Sequence, residues 1–194
     1  MSLREINRES GARNAVALQY HFKDRDGIVR AVIDKHYPAV ERHRHELLDL
    51  YEQRGNNDIR ELSAALVLPS AAKLSDPNGG AEFLQISAEF VNQSLRAAGT
   101  SKTGPRVPAS IDRWRALVEP FLGQDAAQLH RRFTAIRFSA AELGRRAESA
   151  PHRDDRLFTS QLVDLVTALL LAPVSSETAT LAATRQKHPP AVRH

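Results

Sequence analysis

Apolar residues recur along this chain at three- and four-residue steps, the signature of helices that each bury one face. Leu3 and Ile6 share a face of a short helix from about Leu3 to Glu9, opened by Ser2 and Glu5 at capping-box spacing. Ser10-Gly11-Ala12 breaks it, with glycine supplying the left-handed turn, and a second short helix runs from about Arg13 to His21. Phe22-Lys23-Asp24 ends that one and places Asp24 to cap the next. The next is long: Ile28, Val32, Ile33, Tyr37, Val40, Leu47, Leu48 and Tyr51 keep close to the 3.6-residue period, and Pro38 is expected to kink or split it. Gly55-Asn56-Asn57-Asp58 is a stop and restart. Further helices read at about 58–68, 80–97, 110–121, 124–148 and 153–172, with a Gly- and Pro-containing joint from Ala98 to Ala109. From Pro173 onward Ser, Thr, Ala and Pro prevail. Residues 173–194 read as a mostly disordered tail with a helical stretch near Glu177 to Gln186.

No segment alternates as a strand does and no internal repeat is present, so the expected fold class is all-α. With 194 residues, 42% of them apolar, the chain can bury a real core. Its formal charge of +4 permits nucleic acid as a partner without arguing for it. There is no cysteine, hence no disulfide and no thiolate metal site. No apolar run approaches the roughly 20 residues of a membrane span. No apolar segment follows a basic one at the N-terminus, which reads against a secretory signal, and a soluble cytoplasmic protein is the expectation.

Catalytic patterns are missing. The chain has no Gly-x-Ser-x-Gly elbow, no phosphate-binding glycine loop and no cysteine nucleophile, so it does not read as an enzyme and no cofactor is expected. His45-Glu46-Leu47-Leu48-Asp49 approaches a zinc-protease helix, but Asp49 stands where a second histidine is needed; no metal site is expected. Arg42-His43-Arg44-His45 reads as a solvated basic face. Asp154 and Asp155 fall at a helix start, where their charge favours the dipole.

The informative stretch is the N-terminal one. Two short helices joined by a glycine-containing turn and followed at once by a long helix make the helix-turn-helix layout. Its second helix lies in the major groove and presents side chains to base edges. Leu18 and Phe22, four apart, can anchor that helix and leave Arg13, Asn14, Ala15, Gln19 and Tyr20 facing outward. Arg, Asn and Gln read guanine and adenine edges, and a small Ala allows close approach.

Leu3-Arg4-Glu5-Ile6, Ser10-Gly11, Tyr20-His21-Phe22 and Lys23-Asp24-Arg25-Asp26-Gly27-Ile28 together resemble the signature of the TetR family of bacterial transcriptional regulators. Gly11-Ala12-Arg13-Asn14 ahead of Tyr20-His21-Phe22 resembles a branch with a recognition segment one residue longer. The resemblance covers about residues 2–37. It implies phosphate contacts from Ser2, Tyr20, His21 and Arg25, and base-edge contacts from Asn14, Ala15 and Gln19, with Arg13 close to either. It also implies double-stranded operator DNA, a second copy of the chain and a small-molecule effector as partners. The domains would be a helix-turn-helix unit at 1–40 and a larger effector-binding and dimerisation unit at 41–172.

The family's DNA-binding unit carries a helix ahead of this motif, whereas here the chain begins at the second. The reading therefore expects a native start upstream, and expects Leu3, Ile6, Leu18, Phe22 and Ile28 to lose part of their cover. The alternative function is a dimeric helical interaction or sensor protein without DNA binding.

The family dimerises through its last two major helices. Leu129, Phe133, Ile136, Ala140 and Leu143 on helix 124–148, with Phe158, Leu162, Leu165 and Leu169 on helix 153–172, are then the interface candidates, although the same stripes could pack within one protomer. Phe83, Phe90, Trp114 and Phe121 fall where the family encloses its effector, while any one of them reads first as ordinary core. His130 and Arg137 could meet an acidic ligand, and read first as a solvated or interface edge.

Overall fold

A computed structural model describes residues 25–55, 57–97, 109–123, 129–149 and 151–187. Among these residues the regular elements are all helical and no strand occurs. The helices are α1 (Arg25–Arg54), α2 (Ile59–Ala71), α3 (Gly80–Ala97), α4 (Ala109–Val118), α5 (Arg131–Glu148), α6 (Arg156–Leu171) and α7 (Ser176–Lys187), with 3-10 turns at Ala72–Ser75 and Glu119–Phe121. The two short helices expected at 3–9 and 13–21, and residues 98–108 of the joint, lie outside the described residues.

Helix α1 is a single helix of 30 residues, and Pro38 does not split it. Proline removes the bond to the carbonyl of Asp34 and costs about 3 kcal/mol in a helix interior. Asp34 and Pro38 are both exposed, so water can take that carbonyl. On the opposite face Ile28, His36, Val40, Arg44, Leu48 and Tyr51, at steps of three, four and eight, are buried on either side of the proline, so both halves are packed. Ile28, expected to lose part of its cover, is 5% exposed. The helix crosses residue 40, where the domain boundary was drawn, without a break. Gly55 ends it at φ +61°, a conformation that favours glycine. Asp58 then caps α2, its carboxylate accepting the Arg60 N–H at 2.8 Å.

Helix α2 is the innermost: Leu62, Ala65, Leu66 and Val67 are buried, and it packs against α1, α4, α5 and α6. It runs past Pro69 to Ala71, beyond the expected end at 68. The link to α3 is the turn Asp76-Pro77-Asn78-Gly79-Gly80. A Cβ on Gly80 would stand 2.1 Å from the Lys73 carbonyl oxygen, so only glycine fits there. Helices α3 and α5 pack closely, because Gly144 brings its backbone against Ala88; a Cβ at 144 would lie 2.8 Å from that of Ala88.

Two expected boundaries shift. Helix α5 starts at Arg131 and not at 124, because His130 sits at φ 53° in the left-handed region and Leu129–His130 form a turn; residues 124–128 lie outside the described residues. The helical stretch expected near Glu177 to Gln186 in the tail runs from Ser176 to Lys187, started by the Ser175 hydroxyl, which accepts the Thr178 N–H at 3.2 Å. No single helix among the described residues is long and apolar enough to cross a membrane; α6 with residues 176–184, bent by 57°, passes that test as a pair by length and composition.

Candidate functional site

Of the DNA-contacting candidates, Ser2, Arg13, Asn14, Ala15, Gln19, Tyr20 and His21 lie outside the described residues. Arg25 is the first residue of α1, and its side chain also lies outside them. What is described is the helix this segment runs into.

The four aromatic effector candidates do not share one cavity. Phe83 and Trp114 are core: Phe83 packs its ring 5.3 Å from that of His36, and the Trp114 indole N–H donates to the Leu62 carbonyl at 2.8 Å. Phe90 on α3 is 44% exposed. Phe121 lines an open cleft of about 220 Å³ with Arg131, Leu170, Leu171, Ala172 and Val174, which none of the other three reaches. Arg131 donates to the Leu170 carbonyl at 3.3 Å there.

The interface candidates divide by the side of the helix they occupy. Leu143 and Leu162 are 2% exposed, so they are satisfied inside their own bundle and present no surface. The buried line of α5 runs through Ala135, Ser139, Leu143 and Ala147, leaving Phe133, Ile136 and Ala140 half-buried beside it. On α6, Leu165 is exposed while Phe158 and Leu169 are half-buried. Leu129 precedes α5 in the turn and is half-buried. Leu157 at 82% and Leu171 at 51% are the more exposed leucines of α6, one and two residues from Phe158 and Leu169 of the candidate stripe. His130 and Arg137 are both exposed, and the Arg137 guanidinium lies 5.9 Å from the Phe133 ring centroid.

Two polar clusters on α1 were not foreseen. The first joins α1 to α4. Arg44, assigned to a solvated face, is 4% exposed and donates to the Ser110 hydroxyl at 2.8 Å and to the Glu41 carboxylate at 3.1 Å. That carboxylate accepts the Ser110 hydroxyl and, at 3.3 Å, the Ser110 N–H in the first turn of α4, where the helix dipole favours an anion. Burial holds the Arg44 pKa below its ordinary value and pushes the Tyr37 hydroxyl, beside Arg44 and Glu41, up to about 12. Arg44 Nε is buried without a partner among the described residues. One turn along α4, Arg113 bonds Asp49 at 2.7 Å, Glu52, and the His45 ring at 3.3 Å.

The second cluster lies where the turn at 76–80 covers α1. His36, 3% exposed, stands 3.5 Å from the Asp76 carboxylate, which also accepts from Lys73 Nζ at 3.0 Å and from the Asn78 N–H at 3.0 Å. Lys35 donates to the Asn78 carbonyl at 2.6 Å. Burial, with Lys73 adding to it, lowers the His36 pKa; the Asn78 N–H and then Lys73 lower that of Asp76.

The Glu41–Arg44 pair has the spacing of an intrahelical ion pair, which is a visible signal. Its burial depends on Ser110, 66 residues on from Arg44, and no local pattern reports that. Among the described residues no three His, Asp or Glu side chains gather as metal ligands would. Comparisons of the chain with protein-family models, with curated proteins and with solved structures gave no match.

Proposed function

We propose that this chain is a TetR-type DNA-binding transcriptional regulator, a homodimeric repressor released from its operator by a small-molecule effector. The observation that carries the reading is the run Ser10-Gly11 through Tyr20-His21-Phe22 to Gly27-Ile28, which leads straight into a 30-residue helix beginning at Arg25. In this reading, a recognition segment carried by the long helix would turn a small rearrangement among the helices into a change in the spacing of two recognition helices. Two copies can read successive major grooves only while that spacing holds. The leucines left exposed on α6, and the half-buried Phe133, Ile136 and Ala140 on α5, are apolar surface that a second copy could cover.

The test is fluorescence anisotropy of the chain against DNA from its own upstream region, over a salt series. Binding by the intact protein is expected to weaken steeply with salt, on the order of 10³-fold or more between 50 and 200 mM. Arg13→Ala/Gln19→Ala is expected to lose sequence preference while keeping most of that salt slope, because phosphate contacts set the slope and base contacts the preference. No binding at low salt would overturn the proposal in favour of the second reading, a dimeric helical interaction protein, which the exposed leucines favour independently of the N-terminal motif.

A further inference from the structure

Helix α4 has two unlike attachments. Against α2 it is dry: Ile111, Trp114 and Val118 are buried, and the Trp114 indole is fixed to the Leu62 carbonyl. Against α1 it is ionic, through Ser110 on Glu41 and Arg44, and through Arg113 on Asp49, Glu52 and His45. Apolar packing resists displacement because every separation opens a void. A charged seam behaves differently: water can take over its hydrogen bonds once it parts, so opening it costs less than opening an apolar joint. Two features lower that cost further. Arg44 Nε has no partner among the described residues while the seam is closed, and opening would hydrate it. Asp49 and Glu52, at 54% and 45% exposure, already border solvent and lose little hydration in the change.

We infer that α4 is a two-position strap, anchored on α2 at Trp114 and released from α1 at the Glu41–Arg44–Ser110 clasp. Its use as a control point rests on the regulator reading, since α1 is the helix that leaves the recognition segment. Opening the clasp uncouples the middle of α1 from the bundle on one side and leaves its contacts with α2 and α3 in place.

Hydrogen exchange read by mass spectrometry on the full chain tests this without DNA. In the wild-type protein the α4 amides are expected to exchange through a local opening, on the order of tenfold faster than those of α2 and α5. Glu41→Gln weakens a charge-assisted bond and is expected to speed α4 by about a further tenfold, with α2 and α5 unchanged. Ser110→Ala, a milder change in case Glu41→Gln unfolds, is expected to act in the same direction. The apolar replacement Glu41→Leu/Arg44→Met/Ser110→Ala is expected to slow α4 to the rates of α2. Exchange of α4 in step with α2 and α5 in the wild-type protein and in every folded variant would overturn the strap. DNA binding is a separate readout: a chain that opens at α4 yet never binds DNA overturns the regulator reading and leaves the strap standing.

Discussion

The joint between α3 and α5 and the joint between α1 and α4 belong to one bundle and are closed by opposite means. At the first, Gly144 lets two backbones meet and Leu84 and Leu143 fill what remains, so nothing polar is at stake and nothing can be added. At the second, a buried guanidinium, a carboxylate and a hydroxyl satisfy each other across the gap, with one nitrogen left over. A joint closed by shape fails when volume changes. A joint closed by charge fails when one partner is removed and survives when all are replaced together.

The largest effect is expected at the charged joint. Arg44→Met leaves the Glu41 carboxylate, 21% exposed, with Ser110 but without its cation, and breaking a buried pair on one side costs up to about 3–5 kcal/mol. Equilibrium denaturation in urea measures it. Glu41→Leu/Arg44→Met/Ser110→Ala is expected to fall within about 1 kcal/mol of wild type or to exceed it, since well-packed apolar groups replace such networks at little loss. A large loss in the triple variant would mean that the joint is held by shape as well, and the contrast between the two joints would disappear.

Gly144→Val comes next. Its first carbon would stand 2.8 Å from the Ala88 Cβ, so α3 and α5 must part. Overpacking of this kind costs about 1–3 kcal/mol, read by the same denaturation. Gly144→Val with Ala88→Gly is expected to recover part of the loss, because the added volume then has somewhere to go.

The apolar joint was the more legible of the two in the sequence. Period alone located the helices that carry Phe83, Trp114, Leu143 and Leu162, and read each aromatic first as core, since burial of one face is what the 3.6-residue repeat encodes. The charged joint was not. Arg42-His43-Arg44-His45 looks solvated to any local rule, and only the fold sets Ser110 against Arg44. Pro38 misled for a similar reason: propensity assigns it the cost of a break, while the burial that offsets that cost comes from other helices. The left-handed turn at His130 had no glycine to announce it. The functional reading rests on a resemblance over residues 2–37, of which the structure describes only the part from residue 25 onward, in α1. The resemblance put nine interface positions on two helices, and of these Leu143 and Leu162 are buried within the protomer.

The turn over His36 is a second polar site on α1, and its contribution to stability depends on pH. Because burial and Lys73 hold the folded-state pKa of His36 below its ordinary 6.5, the unfolded chain takes up this proton first on acidification. The stability involved is therefore complete above about pH 6.5 and declines as the pH falls below it, until the folded-state value is passed. One proton changes the slope by at most about 1.4 kcal/mol per pH unit. Asp76 and Lys73 face the ring and Lys35 lies beside it; of these, Asp76 with its lowered pKa titrates only at lower pH, so the interval just below 6.5 belongs to His36. His36→Gln is expected to flatten the denaturation midpoint across that interval. An unchanged pH profile in the variant would place the proton elsewhere.

The smallest effect on the protomer, and the widest consequence for function, is expected on α6. Leu162 and Leu165 stand nearly one turn apart, the first buried and the second 43% exposed. Leu162→Ala is expected to cost about 2–5 kcal/mol as a core cavity. Leu165→Glu is expected to change stability in the monomeric state by no more than about 0.5 kcal/mol, the usual range for surface positions. If the exposed leucines meet a second copy, Leu165→Glu combined with Leu171→Glu places four carboxylates across a two-fold interface, where like charges lose their hydration and repel. Sedimentation velocity should then show a monomer with an intact helical spectrum, and the variant should lose cooperative operator binding while its recognition segment is unaltered. A dimer that persists would move the interface off this face. Under the proposed regulator reading the two copies would then have to be spaced by some other pair of helices, and the apolar surface of α6 would take no part in that function.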